Sequence, residues 1–426
     1  MSVLNHKLLR DLWRMKGQAT AIGAVIALGV MMLVMMSGLT VSLVETRDTY
    51  YERYRLADVF APVARAPDRL ARQLAEIPGV SAVQTPVQAQ AVSLPDRGRP
   101  ALNDVYLTAG RMPAAGRPDE ILLLQSFATA HGLRPGDRLR ATMSGARRSF
   151  DIVGLAQSPE FLYTTAPGEL IPDDARFGVI WMGRAGLAAA YDLGGAFNEA
   201  LIGLTRGTSD DAVIDAVDRL LAPYGGAGAY PLADQFSNRF VSEEISGLQA
   251  AALGVPPIFL AVAAFLLYIV ISRMVQAERE QIGLMKAFGY SNFEVGGHYF
   301  KLIMAIAAGG ALVGCLGGIA SGRALIGVYT AYFKFPFLVF QLDPASFATG
   351  VSVSILSASA GGVLVLRKVF ALTPATAMRA PAPPNFSRSG RIGKSLNRFL
   401  DQPSRMVLRR LTRQPGRMFG SIMVTR

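Results

Sequence analysis

Few residues in this chain have the types and spacing that chemistry requires. Its three histidines are scattered: His6 in a basic N-terminal segment, His131 in mid-chain, and His298 at the mouth of an apolar run. There is no HExxH pair, no paired cysteine and no histidine cluster, which argues against a metal centre. No G-x-S-x-G elbow is present. Gly393-Lys394-Ser395 has the form of the end of a phosphate-binding loop, but Arg388 stands where the earlier glycine is required and no apolar strand leads in. Two adjacent acid pairs read as structure: Asp173-Asp174 punctuates a turn and Asp210-Asp211 opens a helix. The expectation is a non-enzyme with no metal and no cofactor of its own. Any ATP that drives it is bound by another chain.

The densest charge pattern lies in Ala277–Tyr290, AEREQIGLMKAFGY, between two long uncharged spans. It is helix-forming and closed by Gly289, where a short turn would suffice to re-enter a membrane. Four uncharged runs frame the chain: Ala19–Val44, Ile245–Ser272, Leu302–Gly322 and Pro344–Leu366. Each reaches the roughly 20 residues needed to cross a hydrocarbon core as a helix. The first is too long for a signal peptide and has no small-x-small exit, so an uncleaved anchor is expected. A composition 51% hydrophobic yet 17% charged fits a membrane bundle carrying a polar domain.

Basic residues set the orientation. Lys7, Arg10, Arg14 and Lys16 precede the first span and place the N-terminus in the cytoplasm. From Arg367 onward the chain carries 13 Lys or Arg against the single acid Asp401, so the whole net charge of +12 sits in a cytoplasmic tail. Few aromatics interleave with these arginines, so lipid head groups rather than nucleic acid are the expected partner. Arg323 and Lys334 fall on the outer side, an exception that snorkelling could absorb.

The predicted organisation is a basic amphipathic segment (1–18), a first span (19–44), a periplasmic α+β domain (45–245) and a second span (246–272). A cytoplasmic loop (273–301), a third span (302–333), a short outer loop (334–343), a fourth span (344–366) and the basic tail (367–426) follow. In the outer domain, Asp58–Ala64, Gly79–Val83, Glu120–Leu124, Phe150–Leu155, Gly178–Met182 and Ala200–Leu204 read as strands. Pro67–Glu76 reads as a helix opening on proline, Ser209–Leu221 as a helix capped by Ser209, and Arg134–Asp137 as a turn. The only cysteine, Cys315, lies in the third span, so this domain folds without disulfides.

Gly310, Gly314, Gly318 and Gly322 recur every fourth residue on one face of the third span. Such a face admits a close neighbour, either a helix of a second copy of this chain or one of the same bundle. Pro256-Pro257 should kink the second span or mark its outer end. Upstream, residues 233–249 carry charge at helical spacing, which predicts a stalk. A rod from the outer domain to Glu278 could carry force.

This pattern resembles the FtsX/MacB-type permeases of ABC transporters. The resemblance rests on the long domain after the first span, on E-R-E-Q-I-G-L-M-K-A-F-G-Y, and on Thr373–Arg379 (TPATAMR) past the fourth span. Ser158–Tyr163, Pro172–Trp181 and Ala196–Asn198 are similar to a subgroup of such transport components. It implies a four-span helical bundle with a large MacB-like α+β domain between the first two spans, in a bacterial inner membrane. It also implies that Glu278, Arg279, Ile282, Gly283, Leu284, Lys286, Phe288, Gly289 and Tyr290 form a coupling helix docking on a cytoplasmic ATPase, with Ser291 capping the next helix. A periplasmic adaptor is a further implied partner.

One departure stands out. Leu9–Gly17 (LRDLWRMKG) and Leu408–Gly416 (LRRLTRQPG) share leucine, arginine and glycine positions, and each leads into an apolar run. Either the chain is a truncated duplication or the tail lies on the inner leaflet. The leading functional reading is a mechanotransmitting permease for export or extraction of a lipophilic or peptide substrate. The alternative is an ABC-coupled regulator that activates a periplasmic partner and transports nothing.

Overall fold

A computed structural model describes residues 3–89, 91–166, 169, 171–371 and 373. The sequence features at Thr373–Arg379, Gly393–Ser395 and Leu408–Gly416 therefore fall, Thr373 apart, outside the described residues, as does most of the 367–426 tail.

The chain opens with α1 (Val3–Arg14), turns at Met15 and enters α2 (Lys16–Arg53). An α+β domain follows, made of two sheets. The first is a β-α-β-β-α-β unit: β1 (Val59–Pro67), α3 (Leu70–Ala75) and β2 (Val80–Gln84), completed much later in the chain by the other half. Inserted between the halves are β3 (Val92–Leu94), β4 (Tyr106–Gly110), β5 (Glu120–Leu124), α4 (Gln125–Ala130), β6 (Arg138–Met143), β7 (Ala146–Gln157), β8 (Ile180–Gly183) and α5 (Arg184–Ala190). The first unit then closes with β9 (Ala196–Leu204), α6 (Asp210–Leu221) and β10 (Tyr230–Pro231).

The first sheet runs β10-β1-β9-β2, every neighbour antiparallel. Helices α3 and α6 cover it, with Leu70, Leu74, Val213 and Val217 packed on Val59, Phe197 and Ile202. The inserted sheet runs β3-β8-β5-β7-β4, with β6 added on β7. Its centre is β5, whose five residues are all buried. Ile121 and Leu123 face one core, while Leu122 and Leu124 face another with Trp181. Such two-sided burial explains why this strand reads as an unbroken apolar run.

Two outer-domain details differ from the sequence expectation. Pro67 does not open a helix; it ends β1, paired with Ala196, and α3 starts only at Leu70. A proline tolerates a strand end because the missing N–H is not needed there. Ser209 does occupy the cap position of α6, but its hydroxyl makes no capping hydrogen bond, so the helix start leans on Asp210 and Asp211 instead.

The rest of the chain is helical: α7 (Phe236–Ala277), α8 (Arg279–Ala287), α9 (Asn292–Tyr332) and α10 (Pro344–Ala371). Helices α2, α7, α9 and α10 are long and apolar enough to cross a membrane, which makes this a multi-pass membrane protein with its α+β domain between the first and second spans. At about 1.5 Å per residue, the 38, 42 and 41 residues of α2, α7 and α9 reach roughly 60 Å, twice the hydrocarbon thickness.

The sequence predicts such an extension for the second span, through its stalk, and for the third, read as 302–333 behind a cap at Ser291, but not for the first. Charges at Glu45, Arg47 and Asp48 end the uncharged run without ending α2, because its outer turns find partners on α7. Arg47 Nη1 donates to Ser242 Oγ at 3.3 Å, and Tyr51 Oη donates to Asn238 Oδ1 at 3.1 Å. Tyr50 is fully buried beside them, edge-on to Tyr54 and Phe337. Helix α7 runs through Pro256-Pro257 unbroken, so the pair marks neither an end nor an interruption.

The glycine stripe of α9 faces α2 of the same chain. A methyl group on Gly310 would lie 2.8 Å from the Gly23 carbonyl oxygen, and one on Gly314 would lie 2.6 Å from that of Ala27. Phe340, from the loop between α9 and α10, fills the space over Gly322 and Gly38. That loop is held by Gln341 N donating to Ser42 Oγ at 2.7 Å.

Candidate coupling surface and the polar knot behind it

The segment after α7 forms a compact elbow. Glu278 sits between α7 and α8, and Ile282 N donates to its carbonyl at 2.9 Å, so the helical path barely breaks. Helix α8 stops at Gly289, whose φ of +95° lies in the left-handed region that favours glycine. There Gly289 N donates to Lys286 O and Tyr290 N to Met285 O, both at 3.1 Å, the paired bonds of a Schellman turn. Ser291 then opens α9 with a capping box: its hydroxyl accepts from Glu294 N, while the Glu294 carboxylate accepts from Ser291 N at 2.8 Å.

The residues expected to make one contact surface divide between two faces. Leu284, Phe288, Gly289 and Tyr290 are exposed, with Phe288 79% accessible. Phe293 joins them at 82%, its ring packed on Phe370; its sequence position just inside α9 gave no reason to single it out. Ile282 and Gly283 are buried, and Ile282 belongs to the same core as Leu302, Val365 and Val369. Arg279 is half-buried. Lys286 turns back and donates to Val369 O at 2.7 Å, placing a cation on the last carbonyls of α10. Burial lowers the pKa of that ammonium.

Glu278 also faces inward. Its Oε2 accepts from Lys7 Nζ at 3.0 Å and from Tyr299 Oη at 2.9 Å. Lys7 Nζ donates a second time, to Asp11 Oδ2 at 2.6 Å, and His298 Nε2 lies 3.0 Å from the same oxygen. Asp11, Glu278, His298 and Tyr299 are all buried. The signal available in the sequence was the Lys7/Asp11 spacing of four, set on the same face of α1 as Leu8 and Leu12.

A second polar centre lies where the α+β domain meets the helices. Gln235 caps α7, accepting from Asn238 N at 2.7 Å, while its amide donates to Glu160 O at 3.0 Å. The Glu160 carboxylate accepts from Asn103 Nδ2 at 2.8 Å, and Asn103 Oδ1 in turn accepts from Ala57 N just past α2. Glu199 on β9 is buried close by. Desolvation, then the neighbouring Glu160 charge, pushes its carboxyl up to about 8. Burial raises Glu160 as well. Lys334 does not snorkel: it is 5% exposed and donates to Asp174 Oδ2 at 2.8 Å and to Ala331 O at 2.6 Å.

The other residues with chemical potential are occupied structurally. His131 Nε2 lies 2.8 Å from Ala175 O with its ring on Phe127, and Cys315 is half-buried within the bundle. Among the described residues, no group of three or more His, Cys, Asp or Glu is placed to hold a metal ion.

Residues 254–374, from mid-α7 past the end of α10, match the family model for the FtsX-like permease C-terminal region. This stretch is similar to that family. It contains the elbow, the glycine stripe and both faces of α8. The described chain is also similar to the extracellular domain of the noncanonic ABC-type transporter YknZ from Gram-positive bacteria, at 8% identity and a TM-score of 0.27, over 41% of this chain and 98% of that one. It is similar at the same identity and score to the periplasmic region of MacB from Actinobacillus actinomycetemcomitans, over 46% of this chain and 95% of that one. No curated protein matches the sequence.

Proposed function

We propose that this chain is the permease subunit of an ABC transporter that works by mechanotransmission. The observation that carries the reading is α7: one helix of 42 residues that is capped inside the α+β domain at Gln235 and delivers its other end to the elbow at Glu278. A helix of this length moves as a lever. Tilting one end displaces the other without any conduit for ions through the bundle.

In this scheme the elbow faces the cytoplasm, as Lys7, Arg10, Arg14 and Lys16 at the same end argue. A separate ATPase docks on the exposed apolar surface of Leu284, Phe288, Tyr290 and Phe293. Four large apolar side chains in so small an area, next to charged Glu280 and Arg279, suit an interface better than a lipid-facing loop. Closure of the ATPase pivots α8, α7 carries the pivot outward, and the two sheets of the outer domain change their relation. The cargo class that fits is lipophilic or peptidic, handled at the membrane surface with the help of an outer adaptor.

Purified from its native membrane, the chain is expected to bring down ATP-hydrolysing activity. The Leu284→Glu/Phe288→Glu double variant should lose it while remaining folded. Full retention of the ATPase by that variant would sink the docking assignment.

A further inference from the structure

The knot at Lys7, Asp11, Glu278, His298 and Tyr299 is more than a surface ion pair. The side chains of Lys7, Asp11 and Glu278 are only 12%, 4% and 8% exposed, so a single ammonium is held between two carboxylates largely out of water. Removing one partner of such a set leaves a buried charge uncompensated, which is strongly unfavourable. The carboxylate at the centre belongs to the elbow residue itself. Its Oε2 ties together α1 through Lys7, α9 through Tyr299 and the junction of α7 with α8.

Helix α1 is in turn almost continuous with α2. Met15 N donates to Asp11 O at 3.1 Å and Ala19 N to Met15 O at 2.9 Å, so the helical path turns between them with little break. The opposite end of α2 reaches the polar centre of the outer domain, where Ala57 N donates to Asn103 Oδ1, two residues removed in the network from Gln235. A displacement of α8 therefore has two rigid paths outward. One runs along the chain through α7. The other crosses from Glu278 to Lys7 and follows α1 and α2. Both arrive at the backbone and carboxylate of Glu160.

We infer that Lys7 and Asp11 are positioning residues: they latch α1 to the elbow, so that the outer domain is driven through α2 as well as α7. The latch exists whether or not an ATPase docks, but its role in driving the domain rests on the docking reading above. His298 supports the arrangement by engaging the same oxygen of Asp11 that Lys7 holds, which fixes that carboxylate between α1 and α9.

The test uses the full chain in lipid nanodiscs, with Cys315→Ala and spin labels at Arg10→Cys and Gln281→Cys, two exposed positions on α1 and α8. One narrow distance is expected. Lys7→Met should broaden it at least twofold, and Asp11→Asn, which keeps side-chain shape, should broaden it less. Exchanging the partners with Lys7→Glu and Glu278→Lys in the Asp11→Asn background keeps one cation against one carboxylate across the elbow without setting two carboxylates side by side, and should restore a narrow distribution. An unchanged width in Lys7→Met, or no restoration by the exchange, overturns the latch. With the ATPase present, Lys7→Met should keep it bound yet lose about half of the nucleotide-driven distance change between labels at Arg65→Cys and Arg138→Cys. A full change there overturns the second path. Failure of the unmodified chain to bind an ATPase would overturn the docking reading alone, because the first measurement needs no ATPase.

Discussion

Gly314 of α9 lies so close to Ala27 of α2 that a methyl group placed on it would stand 2.6 Å from the Ala27 carbonyl oxygen. Gly309, one residue before the stripe begins at Gly310, has nothing within 4 Å of the corresponding position. The close approach of α2 and α9 is thus a property of one face, and Gly310, Gly314 and Gly318 on it each have a backbone oxygen of α2 to respect.

Gly314→Val should force α2 and α9 apart and destabilise the bundle by about 1–3 kcal/mol, the usual cost of overpacking. Gly309→Val should cost little. Thermal unfolding of the two variants in the same lipid environment compares them directly, and equal effects would mean that the packing is looser than described.

The two faces of α8 should respond differently to truncation. Ile282 is fully buried, so Ile282→Ala should cost on the order of 2–4 kcal/mol of stability. Leu284 is 54% exposed, and Leu284→Ala should change stability by less than about 0.5 kcal/mol while weakening ATPase binding. A stability loss as large for Leu284 as for Ile282 would place its side chain in the core.

Glu199 makes the outer domain sensitive to alkali. Its folded pKa, about 8, stands above the ordinary 4.5, so the favourable neutral form is complete below about pH 4.5 and is lost as pH rises through 8. The neighbouring charge that acts on it, Glu160, is itself acidic and offers nothing to offset the loss. Glu199→Gln stays neutral throughout. It should match the unmodified chain at pH 5 and exceed it at pH 9 by on the order of 2 kcal/mol, or several degrees in Tm. An identical pH profile for the two would show that Glu199 is solvated.

Lys334 fastens the loop after α9 to the outer domain, with Nζ on Asp174 and its backbone N–H on Leu162 O at 2.7 Å. Because Asp174 is partly exposed, Lys334→Met should cost about 1–2 kcal/mol, less than breaking a fully buried pair. Hydrogen exchange should rise locally in residues 333–343. Unchanged protection there would mean that the backbone contact suffices.

Much of the architecture was legible because membranes impose strict rules on sequence. An uncharged run of twenty residues and a break at Gly289 are local properties, and so they read correctly without any partner in view. The strand β5 and the helix α6 were legible for the same reason: their periodicity is set by burial on faces that the chain itself repeats. The start of α3 was not, since Pro67 reads locally as a helix opener and only the ladder with Ala196 makes it a strand end.

The sequence by itself determined the spans, the insertion of an α+β domain between the first two, and the presence of a charged elbow before α9. Tertiary structure alone decided how far α2 extends, because partners on α7 keep its charged turns helical. It alone decided which side of α8 is free and that Glu278 faces Lys7, 271 residues away. A charge near a membrane has no address in sequence; what it pairs with depends on which helices meet, and that is settled by packing among elements remote in the chain.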